Sequence, residues 1–168
     1  MTKLGALLDD YLFRSASDSD RDQKFEELMK AFLRTDELWS ARFDEVWSWE
    51  SWPEHEGEDS EIDLVARERE SGSLTAVLCV FHDPDSDLAK LDVDAFLSAS
   101  NHAPFTRRLV IATTDTWDQE SSDAVRDLEI PVQQVGLAEL LSSSTDWTKF
   151  DPPAPEPALT SGASATAT

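Results

Sequence analysis

Residues 75–81, TAVLCVF, form an apolar run unbroken after Thr75. A strand with one face in water alternates polar and apolar side chains, so a continuous run of this length predicts a central strand covered on both faces. Just before it, IDLVARE (62–68) does alternate, with Ile62, Leu64 and Ala66 on one face and Asp63 and Val65 on the other. SGS (71–73) supplies the turn between the two, which predicts an antiparallel hairpin. Upstream, RDQKFEELMKAFLR (21–34) repeats Phe25, Leu28, Met29, Phe32 and Leu33 at helical spacing behind the capping-type residues SDSDRD. RFDEVWSW is rich in strand formers, and SWPEHEGEDS reads as a polar loop. Downstream, helix and strand patterns alternate: KLDVDAFLSASN, RRLVIATT, DQESSDAVRDLE, PVQQV and GLAELLSS. One helix, three strands, then alternation imply an α/β domain whose mixed sheet joins an antiparallel hairpin to parallel crossovers and is flanked by helices.

The chain has 168 residues, enough for one domain with a core over 1–150. Residues 151–168, DPPAPEPALTSGASATAT, bury too little to offset ordering entropy and read as a disordered tail. The N-terminal MTKLGALLDDYLFR has too short an apolar run for a secretory signal, and 18 consecutive apolar residues occur nowhere, so the sequence predicts a soluble cytoplasmic protein without a membrane span. The single Cys79, inside the apolar run, excludes an intramolecular disulfide and reads as a small buried hydrophobe. Fourteen Lys and Arg against 35 Asp and Glu give a net charge of −21. Such a chain repels DNA overall, and its one adjacent basic pair is Arg107 and Arg108.

Metal-dependent phosphodiester cleavage needs carboxylates for Mg²⁺, a coordinated water, and a cation or donor that orients that water. A hairpin supplies these when an Asp on its first strand faces an acid or amide two residues before a Lys on its second. Asp63 holds the first position, but Leu78 and Val80 hold the other two, with the correct spacing and none of the chemistry. Other motifs are weaker. His55, His82 and His102 lack zinc-ligand spacing. The acids of HDPDSDLAKLDVD lack the central glycine and closing glutamate of an EF-hand loop, and Asp87 or a neighbour reads as a helix cap. Thr113, Thr114 and Thr116 end a buried strand, where phosphate could bind but N-capping suffices. Trp39, Trp47, Trp49 and Trp52 read as packing aromatics, because few cations interleave with them.

The segments KFEELMKAFLRTD, FDEVWSWESWP, EIDLVARE, AVLCVFHDPD, LDVDAFLSASNHAPFTRRLVIATTDTW and STDW occur in one order that resembles the Mrr-like nuclease domain opening the single-chain Type I-like (Type ISP) restriction-modification enzymes. The resemblance covers 1–150 and implies a restriction-endonuclease-like, PD-(D/E)xK, fold. It implies that Glu26 matches the family's helix glutamate and Asp63 its aspartate. Leu78 stands where the family has glutamine and Val80 where it has lysine; Glu61 replaces the glycine that precedes the family's IDLVA. The expectation is a pseudoenzyme of a DNA restriction or anti-phage defence system. Its remnant pair Glu26 and Asp63 would hold Mg²⁺ weakly if at all, and its cleft would have closed into a packing surface.

Two other functions compete with that reading. The first is an active Mg²⁺-dependent endonuclease with a relocated lysine, Lys90 being the nearest in sequence. The second is an acidic, non-enzymatic module that docks on a separate helicase-methyltransferase chain, since in the relatives this domain leads into such regions. DNA binding by the isolated chain is expected to be weak.

Overall fold

The structure, a computed structural model, describes residues 3–14, 16–54, 61–82 and 85–147. The expected tail, His55 and Asp83 lie outside the described residues. Contacts divide the chain into two units, one of Met1–Ser15 with Asp146–Thr168 and one of Ala16–Thr145. In the smaller unit, helix α1 (Lys3–Arg14) buries Leu4, Leu7 and Tyr11, and Trp147 is buried as well.

The larger unit begins with α2 (Asp18–Thr35). Ser17 accepts the Asp20 amide at 3.1 Å, and Asp18 and Asp20 place negative charge at the positive end of the helix dipole. Phe25, Leu28, Met29, Phe32 and Leu33 are its buried stripe, as the spacing predicted. Asp36 then caps the short α3 (Glu37–Arg42), accepting from Leu38 and Trp39. The chain continues through β1 (Phe43–Ser48), a single 3-10 turn (Trp49–Ser51), β2 (Leu64–Glu68) and β3 (Leu74–Val80). The remainder is α4 (Lys90–Ala99), β4 (Phe105–Ala112), α5 (Gln119–Ala124), β5 (Val132–Val135) and α6 (Leu137–Leu141).

The five strands lie in chain order, β1-β2-β3-β4-β5. The first two pairings are antiparallel and the last two parallel, so the sheet is mixed as expected. Between β2 and β3 the turn needs a left-handed residue, and Gly72 supplies it at φ 74°. β3 is central and faces apolar groups on both sides. Val65, Ala76, Leu78, Val110 and Ala112 form one core with Val93 and Phe96 of α4. Leu64, Ala66, Val77, Leu109 and Ile111 alternate with them along the strands and are buried too.

Three local expectations change. Ile62 joins the core of Val65 and Ala76 instead of the face of Leu64, because the ladder is irregular at Asp63, whose amide reaches Val77 O at 2.9 Å. The helix expected over 118–129 stops at Ala124, and Asp127 adopts a left-handed φ of 57°, which breaks helical continuation. Helix α4 is capped from within, by Asp92 accepting the Ala89 amide at 2.8 Å, and not by Asp87.

Candidate functional site

A cleft of about 250 Å³ opens at the carboxyl end of β3. Four consecutive residues, Leu78, Cys79, Val80 and Phe81, form one wall; Glu26, Asp22 and Arg21 come from α2, and Glu61 and Asp63 from the approach to β2. The sheet irregularity at Asp63 positions its side chain: the Asp63 carboxylate accepts the Cys79 amide at 2.8 Å and so replaces a ladder bond. Glu26 is brought to it by packing of α2, where Phe25 meets Phe81 edge to face at 5.5 Å. All four residues singled out by sequence, Glu26, Asp63, Leu78 and Val80, therefore line one cleft. The cleft is open, contrary to the expected closure, although Leu78 also packs into the core of Val93 and Phe96.

Glu26 and Asp63 are hydrogen-bonded to each other. Burial first, then the Asp63 charge, pushes the Glu26 carboxyl up to about 8. Burial also raises Asp63, to about 6, against the opposing bonds from the Cys79 amide and Glu26. Two carboxylates in contact share a proton because both cannot ionise cheaply at short range. Cys79 is affected as well: burial and then the charges of Asp63 and Glu26 hold its thiol well above the ordinary range, which makes it a poor nucleophile.

As a donor set, Glu26 and Asp63 offer two carboxyl groups, with one Asp63 oxygen already engaged by Cys79. No cluster of three acid, histidine or cysteine side chains suited to a metal occurs among the described residues. Two carboxylates fit an Mg²⁺ ion that keeps most of its waters or gains phosphate oxygens, not a closed protein cage.

The cation nearest this geometry was missed by the sequence reading. Arg21 lines the cleft, and its guanidinium carbon lies 5.0 Å from the centre of the Phe81 ring. The available signal was position, since Asp22 and Glu26 share a helix face at i, i+4 and Arg21 adjoins them. Lys90 instead pairs with Asp94 at 3.0 Å and is half exposed. Arg107 and Arg108, the adjacent basic pair, do not form a patch. Arg108 is buried and donates to Ser100, Ile130 and Leu97, while Arg107 pairs with Glu68 at 3.4 Å.

Other candidates serve the fold. The Thr113 hydroxyl donates to His82 O and that of Thr114 to Ser86 O. Trp52 is buried against Trp49 and Phe105, and Trp39 stacks on Phe43 at 5.7 Å. His82 lies 3.7 Å from Asp92, and His102 packs its ring against Phe105.

Residues 34–156 match the model of the Mrr_cat_2 family, described as restriction endonuclease. The chain belongs to this family. Asp63, Leu78 and Val80 fall inside the matched residues of this Mrr-type chain, and Arg21 and Glu26 precede them. Among solved structures, the ATP-dependent Type ISP restriction-modification enzyme LlaBIII bound to DNA is similar at 24% identity and TM-score 0.69, over 86% of this chain and 9% of that one. The DNA modification-dependent restriction endonuclease AspBHI matches at 18% identity and TM-score 0.53, over 83% of this chain and 34% of the other. MspJI restriction endonuclease in complex with a 27-mer oligonucleotide matches at 16% identity and TM-score 0.50, over 83% and 30%. These likenesses show the fold, restriction-endonuclease-like with a mixed five-strand sheet. The chain spans about a tenth to a third of the length of these structures. No curated protein sequence matches the chain.

Proposed function

We propose that residues 1–150 of this Mrr-type chain are a DNA-associated, restriction-endonuclease-like domain of a cytoplasmic restriction or anti-phage system, and that its site no longer cleaves. The observation that carries this reading is the cleft itself. Glu26 and Asp63 meet there as a family pair would, while Leu78 and Val80 present only aliphatic carbon beside them. An aliphatic side chain has no donor, charge or titratable proton. It can neither orient a water nor offset charge developing on phosphate, a loss typically worth several kcal/mol of transition-state stabilisation.

Glu26 and Asp63 are the residues that would hold Mg²⁺, and they would have to release their shared proton to do so. A bound Mg²⁺ would supply Lewis-acid polarisation of the phosphate and a more acidic water. Without a group at Leu78 and Val80, such a water would lack a second partner from the protein. The raised pKa of Glu26 further disfavours metal loading near neutral pH, since a protonated carboxyl is a poor ligand.

The test is incubation of supercoiled plasmid with the purified chain and Mg²⁺ or Mn²⁺. We expect the plasmid to stay intact. Metal-dependent nicking that Asp63→Ala abolishes would instead support an active enzyme with a relocated cation; Lys90, engaged by Asp94, argues against that lysine. Docking on a helicase-methyltransferase partner is the reading suggested by the Type ISP likeness, in which the matched region is a small part of one long chain. Co-purification of such a chain with this one would test it.

A further inference from the structure

We propose that Arg21 is the phosphate-holding cation of this cleft, taking a backbone phosphodiester of duplex DNA from the helix side where the strand side lacks a lysine. This assignment rests on the DNA-associated reading above and deepens it. Among the described residues that line the cleft, Arg21 is the one permanently charged cation. Its guanidinium lies over the ring of Phe81, which lines the same cleft as Val80, the position where the resemblance implies a lysine. The other basic residues of α2 point their charge elsewhere: Lys24 pairs with Asp20, Lys30 with Glu27 and Arg34 with Glu45.

The current partners of Arg21 are weak competitors. Nε and Nη2 donate to one oxygen of Asp22 at 3.2 and 3.1 Å, and Nη1 lies 3.6 Å from Asp18. The Asp18 side chain is 92% exposed and that of Asp22 51%, whereas the Arg21 side chain is 22% exposed. Exposed ion pairs contribute little. A phosphate offers two oxygens to the guanidinium fork, a charge-assisted geometry that one oxygen of Asp22 does not match.

The acids around the cleft set a condition. Asp22, Glu26, Glu61, Asp63 and Asp92 would repel a phosphate. A divalent cation held at these carboxylates would offset part of that charge. Arg21 should therefore engage DNA with a divalent cation present. Arginine keeps its proton at all relevant pH, so it holds phosphate without serving as a base. The cleft would then retain docking without the chemistry of cutting.

The experiment is fluorescence anisotropy of a labelled duplex with the full chain in Ca²⁺ or Mg²⁺, across a salt series. Arg21→Gln and Arg21→Met, the latter preserving the stem over Phe81, should each weaken binding about five- to tenfold and reduce the slope of log affinity against log salt by about one. Arg21→Lys should keep the slope. Arg126→Gln, at an exposed arginine paired with Asp123, should change neither. Thermal unfolding identifies the folded variants, and if the Gln and Met changes both unfold the chain, the Lys variant decides: retention of wild-type slope supports the assignment and its loss overturns it. Wild-type binding that folded Arg21→Gln or Arg21→Met leaves intact overturns the assignment alone. A wild-type chain that binds no duplex even at low salt overturns the assignment together with the DNA-associated reading.

Discussion

Val80 stands where the resemblance implies a lysine, and the two carboxyl groups that share its cleft are perturbed. A lysine beside Glu26 and Asp63 would stabilise both as carboxylates; with valine there, burial and mutual repulsion hold a proton between them. Both folded-state values lie above those of the unfolded chain. The folded state therefore binds more protons than the unfolded state from about pH 4 to 8, and stability falls as pH rises through that window. Glu26→Gln should be nearly neutral at about pH 4 and stabilising by on the order of 1 kcal/mol at about pH 8, a figure discounted for partial exposure. Urea unfolding at the two pH values checks this, and an equal effect at both would show that Glu26 ionises normally. The paired change Leu78→Gln with Val80→Lys should restore metal-dependent nicking, because the cleft is open and its carboxylates are in place. Its cost is the burial of a polar amide at Leu78, about 2 kcal/mol or more. A folded double variant that leaves plasmid uncut would show that the cleft lacks more than these two groups.

Elements are tied together by polar groups whose burial the sequence pattern conceals. Near the end of helix α4, Arg108 from β4 donates to Leu97 O at 3.0 Å. The same guanidinium donates to Ser100 Oγ and Ile130 O, each at 2.7 Å, which joins the helix end to the approach of β5. Burial lowers the Arg108 pKa, yet these neutral acceptors satisfy its donors. Arg108→Met should cost about 2–4 kcal/mol, since it strands buried carbonyls as well as removing a charge. Chemical denaturation measures this, and a loss below about 0.5 kcal/mol would mean that water replaces the arginine. The β5–α6 connection is equally close-fitting. A Cβ on Gly136 would clash with Asp115 Oδ1, the oxygen that accepts the Ala138 amide in the first turn of α6.

Over the whole molecule, the net charge of −21 is set against cations that are mostly engaged. Arg42 and Arg107 share Glu68, Arg67 holds Asp44 at 2.8 Å, and Arg69 donates to Ser40 O and Phe43 O. Few cations remain to displace counterions from DNA, and the surplus acids repel what approaches. The isolated chain should bind duplex with a dissociation constant above about 1 μM at physiological salt, and more tightly as salt falls. Titration of labelled duplex at both salt levels tests this; submicromolar affinity at physiological salt would mean that the basic groups are freer than their ion pairs indicate. No helix among the described residues is long and apolar enough to cross a membrane.

By itself the sequence determined the succession of the five strands, the mixed sheet and the aliphatic character of two positions in the cleft. Those properties depend on local periodicity, and Leu78 and Val80 are aliphatic in any fold. Helix α3 escaped the pattern because six residues contain too few turns to show a period, and α5 was overdrawn because only backbone geometry at Asp127 marks the break. The tertiary structure decided which distant groups meet. Packing of α2 on the sheet brings Glu26 to Asp63 and Arg21 to Phe81, and the resulting burial changes the carboxyls' acidity. It also buried Arg108, one of the two adjacent basic residues. Charge and spacing are written along the chain, but burial and long-range contact arise only when helix and sheet close over one another.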